Sequence, residues 1–456
     1  TERIRNMLLN KNNTKICLSC QQFNCTEYEY NEAKRELTFS FHSKQRPDDV
    51  FCRYCGSDSI EVHDNNTTIL KDLPIWIGIK QFIAVWYHRY KCRDCNRVFS
   101  EDIGFKDPDA RVTLRATNAI RELLSLGLSI SSVSQYTGIH WDTIRKLHTH
   151  VMEDALETRV KLLKEQGYKP TYLAVDEFAI HKGHTYATCV MDLETGEVLW
   201  VGKGRATEDF RKFFLEYDME YLGNVKAFAM DMNASYNKLV EEYMPEVDIV
   251  YDRYHMQAQF GKEVLGVVRL NEARKHKEAA QDIKEIRSEE TDPEIRRHLK
   301  AEYREEQKMY STLKNSRWSI LTNSKNLSDS KKTALDTILE EHNDLAICYA
   351  MKEEMCRLFE LRDPEEARNG WMAWFEAAKE SGIEALVHFA ELKEKRLEGL
   401  IAHAAHPIST GKLEGLNNKI KVAKRVGYGY RNDDYFFILV RYISMPHNFM
   451  LIPRKT

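Results

Sequence analysis

The stretch Tyr172–Gly204, YLAVDEFAIHKGHTYATCVMDLETGEVLWVGKG, decides the fold. Its apolar and β-branched residues are typical of strands, and Asp192–Gly196 contains the Asp and the Gly that a hairpin turn requires. The stretch therefore predicts three consecutive strands: Tyr172–Ile180, His184–Met191 and Glu197–Gly202.

An acidic pair, Asp176 and Glu177, interrupts the first of these strands. A charge among apolar residues needs a partner or a metal, because burying it alone is very costly. We interpret Asp176 as the first member of a catalytic set. The alternative is an ordinary meander with one acidic residue at its rim. Glu177 is expected on the opposite face of the strand, in a structural contact.

The elements that follow extend this meander. A helix, a strand, a helix and a strand are predicted in turn at Thr207–Tyr221, Val225–Met230, Ser235–Tyr243 and Val247–Tyr251. Phe210, Phe213 and Phe214 of the first helix are interpreted as core residues. Asp231 and Asp252 directly follow the two strands. This order of elements is that of an RNase H-like core, and functional residues of open α/β sheets gather at strand ends.

Length and charge limit the possible classes of protein. With 456 residues the chain exceeds the roughly 250–300 residues of a single core, so several domains are expected. The net charge is only -3, so any basic surface for nucleic acid must be local. The most apolar run, Leu73–Trp86, is short and interrupted by Lys80, and the N-terminus has no apolar leader. We expect a soluble, cytoplasmic protein without a membrane span, and a processed start, since the chain begins at Thr1.

Two Cys-x-x-Cys pairs predict a zinc ribbon. Cys52 and Cys55 form the first pair, Cys92 and Cys95 the second, and Ile75–Arg89 between them has strand character. Four thiolates complete a closed tetrahedral zinc site, whereas disulfides are not expected in an intracellular chain. The alternative is a set of buried thiols without metal.

A second zinc knuckle is possible upstream. Cys17 and Cys20 are spaced as a pair and Cys25 lies nearby, with His42 or His63 as a conceivable fourth ligand. No second pair follows at a clear spacing, so the pattern is weaker than the first.

Three helices are predicted next, at Arg111–Leu126, Ser129–Tyr136 and His140–His150, separated by Gly127 and Gly138. This is the order of a helix-turn-helix, whose last helix enters the major groove of DNA. The candidate DNA contacts at the start of that helix are Thr143, Arg145 and Lys146. The region carries a local excess of positive charge, as phosphate contacts require. The alternative is a small three-helix packing module, followed by a polar linker at Lys161–Pro170.

The segment from Gln257 to Gly399 is helical in pattern throughout. Within it, Arg317 and Trp318 could stack on an unpaired base, although such a pair is more often simple packing. Trp371, Trp374 and Phe375 at near-helical spacing are interpreted as core.

The last segment predicts a helix that carries Glu414 within His406–Lys421. Helical spacing places Asn417 or Asn418 and Lys421 on the same face as Glu414. Further candidate DNA contacts are Lys412, Lys424 and Arg425. A carboxylate inside a basic, Asn-bearing helix suits a metal-dependent phosphoryl-transfer site on DNA.

These motifs resemble a known family. The zinc ribbon, the helix-turn-helix and the motifs VDEFAIHKGH, AMDMNASY, YDRYHM and STGKLEGLNNKIK are similar to the bacterial insertion-sequence transposases of the ISL3 group, in the Asp-Asp-Glu superfamily. The resemblance covers nearly the full chain. LEGLNNKIK and the Asp252-x-x-His255 element are its most specific parts, and the Cys17, Cys20 and Cys25 group departs from the pattern.

The resemblance implies a catalytic triad and three nearby groups. The triad is Asp176, Asp231 and Glu414, and the nearby groups are Lys421, at the lysine position of the Glu-x6-Lys pattern, His255 and Asp252. The implied fold is multidomain α+β: a zinc-binding domain (1–108), a helix-turn-helix domain (109–165), and an RNase H-like core (166–256 and 401–456) interrupted by a helical insertion (257–400).

The implied cofactors are catalytic Mg²⁺ or Mn²⁺ and structural Zn²⁺. Two catalytic ions bridged by Asp176 would activate first water and then the freed 3′-hydroxyl. The implied partners are double-stranded DNA, as terminal inverted repeats and target, and further copies of the chain in a homodimer or higher oligomer on DNA, at the nucleoid. A transposase-derived DNA-binding regulator without catalysis and a nuclease that cuts without joining are the alternatives.

Overall fold

A computed structural model of the chain describes residues 22–75, 78–181, 183 and 185–446. These residues form two compact units. The terminal unit comprises the described residues of Thr1–Tyr168 and Leu416–Thr456, and the central unit comprises those of Lys169–Gly415. Within the described residues, each unit contains a five-stranded sheet together with helices, so the chain is mixed α/β.

The terminal unit begins with its sheet. The strands are β1 (Phe23–Asn31), β2 (Glu36–Ser43), β3 (Ile60–Asp72), β4 (Lys80–Cys92) and β5 (Val98–Ser100). They lie in the order β1-β2-β4-β3, with β5 paired to β4. The β2–β4 pair is parallel and the other pairs are antiparallel. Alternate residues of β2, Leu37, Phe39 and Phe41, are buried on the core side, as the pleat of a strand requires.

The sequence predicted strand character only near β4. The predicted Ile75–Arg89 segment corresponds to a strand that begins at Lys80 and ends at Cys92, and residues 76 and 77 lie outside the described part of the chain.

Three helices follow, α1 (Leu114–Ser125), α2 (Ile130–Thr137) and α3 (Trp141–Glu165). The side chains of Thr113 and Ser129 accept hydrogen bonds at the starts of α1 and α2, and Gly138 turns the chain after α2 with a φ of 71°. The predicted third helix is correct in its position but not in its length. It continues to Glu165, so the first half of the predicted Lys161–Pro170 linker is helical, because the polar face of a long helix has the composition of a linker.

A buried carboxylate joins this sheet to α1. Asp72 is 1% exposed and accepts hydrogen bonds from Gln81, Thr113 and Arg115. Arg121, also in α1, is buried. Arg115 and Arg121 are two of the basic residues that give this region its local positive excess. Both are used inside the unit, so the positive excess at the surface is smaller than predicted.

The central unit contains the second sheet. Its strands are β6 (Tyr172–His181), β7 (Thr185–Asp192), β8 (Val198–Lys203), β9 (Ala227–Met230) and β10 (Asp248–Tyr251). They lie in the order β10-β9-β6-β7-β8. The first three form an antiparallel meander, and β9 and β10 extend the sheet in parallel on the other side of β6. The five predicted strands are confirmed, with small shifts at their ends; His184 lies outside the described residues.

Helices α4 (Thr207–Glu216) and α5 (Ala234–Tyr243) connect the later strands. Phe210, Phe213 and Phe214 are buried, which confirms their predicted core role. The first of these helices is shorter than predicted, because Tyr217 already has an extended backbone.

The predicted helical segment is confirmed. Its helices are α6 (Arg253–Phe260), α7 (Gly266–Glu289), α8 (Pro293–Asn315), α9 (Arg317–Leu321), α10 (Asp329–Glu341), α11 (Asn343–Leu358), α12 (Pro364–Glu380), α13 (Glu384–Glu394) and α14 (Leu397–Ala405). A π-helical turn, Gly261–Leu265, joins the first two. Trp371, Trp374 and Phe375 lie in the buried core of this segment, as predicted.

Two helices complete the chain, α15 (Gly411–Val426) and α16 (Asp433–Ser444). Within the terminal unit, α16 packs on α3. Nδ1 of His148 lies 2.8 Å from the hydroxyl of Tyr435. Burial lowers the pKa of His148 to about 4, so its ring is neutral near pH 7. Across the described residues, no helix combines the length and the apolar composition needed to cross a membrane.

Candidate functional site

The register of the central sheet brings three aspartates to one level. Ala174 of β6 pairs with Ala229 of β9 in parallel, so Asp176 and Asp231 follow at the same distance along their strands. The neighbouring β10 continues this level, because Tyr251 pairs with Met230 and is followed by Asp252. Neighbouring strands are about 4.8 Å apart, so these acidic residues lie side by side across three parallel strands, with Asp231 and Asp252 directly after β9 and β10 and Asp176 within β6.

Asp231 contacts a histidine from the next helix. Its Oδ1 lies 2.8 Å from Nδ1 of His255, the third residue of α6. Three effects set the pKa of His255: the contact with Asp231 raises it, burial opposes this, and the charges of Asp252 and Asp176 raise it further. The net pKa is above its ordinary value, so the three aspartates act on one imidazole.

Asp252 is buried and fully engaged by the chain. It is 3% exposed, and its Oδ1 accepts a 3.0 Å hydrogen bond from the N–H of His255 at the start of α6. Its Oδ2 accepts from the N–H of Thr410 at 3.0 Å and from the Thr410 hydroxyl at 2.6 Å. Burial alone would raise the pKa of Asp252, but these hydrogen bonds outweigh it and hold the pKa below its ordinary value. Asp252 is therefore a buried anion that connects β10, α6 and the Thr410 loop.

Glu414 lies on the helix that begins directly after this loop. It is exposed, and its N–H donates to the carbonyl of Thr410 at 3.1 Å. Two further contacts fix the loop within the central unit. Nε2 of His406 lies 2.9 Å from Oδ2 of Asp248, and the ammonium of Lys412 donates to the carbonyls of Leu193 and Glu194. Thr410 thus binds Asp252 through its N–H and hydroxyl, and it accepts the helical hydrogen bond of Glu414 through its carbonyl.

Glu177 makes the structural contact expected for it. The hydroxyl of Tyr236, a residue that is 2% exposed, donates to Oε1 of Glu177 at 2.9 Å. Burial raises the pKa of Glu177 despite this hydrogen bond. Asp176, the preceding residue, accepts from the N–H of Glu177 through its own Oδ1.

The three candidate carboxylates do not form one compact cluster of ligand atoms. Among the described residues, Cys52, Cys55, Cys92 and Cys95 are the one set of His, Cys or acidic side chains with at least three ligand atoms all within 4.8 Å of one another. The carboxylate oxygens of Asp176, Asp231 and Glu414 are therefore not all within 4.8 Å of one another.

The cysteine cluster has the dimensions of a zinc site. Sγ of Cys52 lies 3.5 Å from Sγ of Cys95, and Sγ of Cys55 lies 3.6 Å from Sγ of Cys92. Tetrahedral zinc with bonds of about 2.3 Å separates its sulfurs by about 3.8 Å. The N–H groups of Tyr54 and Cys95 point to the sulfurs of Cys52 and Cys92, which stabilises thiolates. These four cysteines could bind zinc.

The second cysteine group is not brought together among the described residues. Cys17 and Cys20 lie outside them, and the thiol of Cys25 donates to the carbonyl of Glu27. The two histidines considered as ligands are engaged elsewhere: His42 stacks on Trp86, and His63 contacts Asp64.

The candidate DNA contacts of α3 lie near its start. Arg145 lies over the ring of Trp141 at 5.6 Å, Thr143 is half-buried and Lys146 is exposed. On α15, Asn418, Lys421 and Arg425 are exposed, Asn417 and Lys424 are half-buried, and the ammonium of Lys421 lies 3.5 Å from the Asn418 side-chain oxygen.

Trp318 is not a packing residue. It is 74% exposed, with the guanidinium of Arg317 at 5.6 Å from its ring. Arg317, but not Trp318, lines a cavity of about 220 Å³ together with Lys262, Arg269 and apolar residues such as Leu265, Leu270 and Ile320.

One residue of this site, Thr410, was not singled out from the sequence. A signal for it was present, because Thr is common at helix starts and Thr410 lies in the stretch predicted to contain the Glu414 helix. Its pairing with Asp252 spans 158 positions, and no local pattern predicts such a contact.

Known transposases are similar to this chain. The family model of ISL3-group proteins described as "Transposase" matches residues 173–440. The chain is 32% identical over 404 residues to the transposase for insertion sequence element IS1001 of Bordetella parapertussis, covering 89% of this chain and 91% of that one. It is 23% identical over 312 residues to the transposase for insertion sequence element IS1557 from two strains of Mycobacterium tuberculosis, covering 68% of this chain and 67% of those. With a family match over more than half of its length and a relative this similar, the chain belongs to the ISL3 family of insertion-sequence transposases.

Proposed function

We propose that this transposase binds the terminal inverted repeats of its insertion sequence, cleaves at the element ends and joins them to target DNA at Asp176, Asp231 and Glu414. The observation that carries the proposal is the parallel register that brings Asp176 level with Asp231. The neighbouring Asp252 binds the Thr410 loop, which precedes the helix of Glu414. Transposases as a family cut and join DNA, and carboxylates on adjoining strands suit that chemistry.

The proposed core is RNase H-like. Three antiparallel strands, followed by two strands parallel to the first, with helices between them, support this assignment. The proposed domains are the zinc-binding part (1–108), the helix-turn-helix (109–165), the two parts of the core (166–256 and 401–456) and the helical insertion (257–400).

The acidic residues suit a hard divalent cation, because carboxylate oxygens are the ligands that Mg²⁺ and Mn²⁺ prefer. Asp176, Asp231 and Glu414 would hold such ions. When bound, such ions activate the attacking oxygen and stabilise the leaving one.

The remaining polar groups have positioning roles. Asp252 orients both sides of the site. It binds the N–H of His255, whose ring contacts Asp231, and it binds Thr410, which precedes the helix of Glu414. Lys421, seven residues after Glu414 in the same helix, is assigned to bind a phosphate of the DNA. Its exposure supports this role.

DNA recognition is assigned to the terminal unit. A zinc ribbon at the four cysteines and a helix-turn-helix at α1–α3 would read the terminal repeats, with Thr143, Arg145 and Lys146 toward the major groove. The order and capping of the three helices support this reading. Joining two ends requires at least a homodimer on the DNA, at the nucleoid in the cytoplasm.

Trp318 and Arg317 are proposed to hold a displaced base. The exposure of Trp318 and the guanidinium of Arg317 near its ring support this role, because an aromatic ring beside a cation is a stacking platform for unpaired bases.

A transposase-derived regulator without catalysis is the rival function. It would need only the DNA-binding parts, and it gives no chemical reason for aspartates level with one another on neighbouring strands or for the anchoring of the Glu414 helix. A nuclease that cuts without joining would use the same site.

One assay separates these functions. Labelled element-end DNA is incubated with the full chain and magnesium. Cleavage followed by joining supports the transposase, cleavage alone supports a nuclease, and binding without cleavage supports a regulator. Asp176→Ala should abolish cleavage and leave end binding unchanged, whereas the matched control Glu246→Ala, an exposed carboxylate of the same unit, should cleave normally.

A further inference from the structure

Helix α15 ends at an unusual residue. The N–H of Gly429 donates to the carbonyl of Lys424 at 2.9 Å, and the N–H of Tyr428 donates to that of Arg425 at 3.2 Å. In this type of helix end, the residue at the position of Tyr428 has a left-handed backbone and is usually Gly, because a Cβ is crowded there. Tyr428 adopts it with a φ of 52°, although Gly427 and Gly429 flank it.

Packing of the turn does not explain this tyrosine. Its side chain is 98% exposed. The neighbouring Tyr430 holds the turn instead, since its hydroxyl donates to the carbonyl of Ala423 and its ring stacks on Phe436 at 4.8 Å. A Cβ at Gly427 would lie 2.7 Å from the Tyr430 ring, so the chain passes closely there. The ordered turn thus presents a large aromatic ring to solvent from a strained position, and such strain points to a function.

Positive charge is concentrated in the sequence on both sides of Tyr428. From Gly415 to Asn432 the sequence has five basic residues and no acidic one. Lys421, Arg425 and Arg431 are exposed, and within the described part of the chain none of the three forms an ion pair. Such a run of cations attracts a polyanion.

We propose that Tyr428, with Lys421, Arg425 and Arg431, forms a DNA-binding surface on which the tyrosine ring stacks against an unpaired or unstacked base. This inference rests on the proposed function and adds a contact to it that is separate from Trp318. An exposed aromatic ring among cations is the chemistry that binds single-stranded nucleic acid: the charges hold the backbone and the ring stacks on any base. A second copy of the chain fits less well, because it would bring the same cations against themselves.

The test measures the affinity of the full chain for two fluorescein-labelled duplexes of the element end, one intact and one with an unpaired stretch. Tyr428→Ala should weaken binding to the unpaired probe about five-fold or more and affect the intact duplex less, whereas Tyr428→Phe should bind as the parent does. The salt dependence should be unchanged in Tyr428→Ala. In Arg425→Gln the slope of log affinity against log salt should fall by about 1, because a phosphate contact is lost.

A second variant excludes misfolding as the cause. Tyr428→Gly removes the backbone strain, so its thermal midpoint should be no lower than that of the parent while its binding is as weak as that of Tyr428→Ala. Equal affinity of parent and Tyr428→Ala for both probes would overturn the inference. If Tyr428→Ala changed the sedimentation of the protein without DNA and left its DNA affinity unchanged, the inference would be overturned in favour of a contact between copies. A parent protein that neither binds nor cleaves the element end would instead refute the proposed function, whatever Tyr428 does.

Discussion

Replacing Thr410 by Val tests whether Asp252 positions Glu414. Valine has nearly the shape of threonine and keeps the backbone N–H bond to Asp252, so Thr410→Val removes only the hydroxyl that donates to Oδ2 at 2.6 Å. A hydrogen bond to a charged group contributes roughly 1.5–3 kcal/mol, and the buried Asp252 has too little exposure for water to replace the donor. The central unit should lose about 2 kcal/mol of unfolding free energy.

The larger effect is expected on the reaction. Glu414 begins its helical turn from the carbonyl of Thr410, so loosening this loop displaces the carboxylate. A displacement of about 1 Å at a reacting group costs on the order of 100-fold in rate. End-DNA cleavage under single-turnover conditions should therefore slow by about 10- to 100-fold in Thr410→Val, with unchanged affinity for the element end.

Thr410→Ser is the matched control. It keeps the donating hydroxyl and should cleave close to the parental rate, although it loses a methyl group. The reasoning is refuted if Thr410→Val cleaves as fast as Thr410→Ser in a folded protein at saturating magnesium. The bond between Thr410 and Asp252 would then stabilise the fold without orienting Glu414.

Three further predictions concern other parts of the chain. Burial lowers the pKa of His148 to about 4, so below about pH 6.5 the unfolded chain binds a proton at this residue and the folded chain does not. The free energy of unfolding should therefore fall as the pH drops from about 6.5 to 4, by up to roughly 3 kcal/mol. His148→Gln should flatten this part of a denaturation-versus-pH profile. Chelation of zinc, or Cys92→Ser, should lower the thermal midpoint of the terminal unit and abolish end binding; thiol modification should release a single zinc per chain, and a second zinc would point to Cys17 and Cys20. Trp318→Ala should reduce strand transfer several-fold while end binding persists and Trp318→Phe retains activity; unchanged strand transfer in Trp318→Ala would contradict the base-holding role.

Short apolar runs make the central sheet predictable, because strands such as β7 and β9 are buried at consecutive positions. Strands β6 to β10 have buried faces that leave a clear pattern, and the order of these strands along the chain is enough to predict Asp231 at a strand end and Asp176 within the first strand. Strand β1 is not predicted, because most of its residues are exposed and its sequence FNCTEYEYN has little apolar periodicity.

Contacts between distant segments set the limit of such prediction. Net charge does not show that Arg115 binds the buried Asp72 or that Arg121 is itself buried, so the basic surface of the helical region is overestimated from sequence. Asp252 is recognisable as a supporting group, but its bonds to Thr410 depend on where a loop far along the chain returns. Residue types at strand ends identify candidates for chemistry, and only tertiary structure separates those that hold the site from those that face its substrate.

The packing of α16 on α3 has a consequence for biosynthesis. His148 and Tyr435 are 287 positions apart, so the ribosome completes the entire central unit before the partner of α3 exists. Until then the face of α3 that carries His148 has no cover, and the nascent terminal unit cannot reach its final packing. Domains usually fold as they emerge, N-terminal first. The terminal unit is started first and finished last, so the nascent chain depends on its own completion for the final packing of this unit.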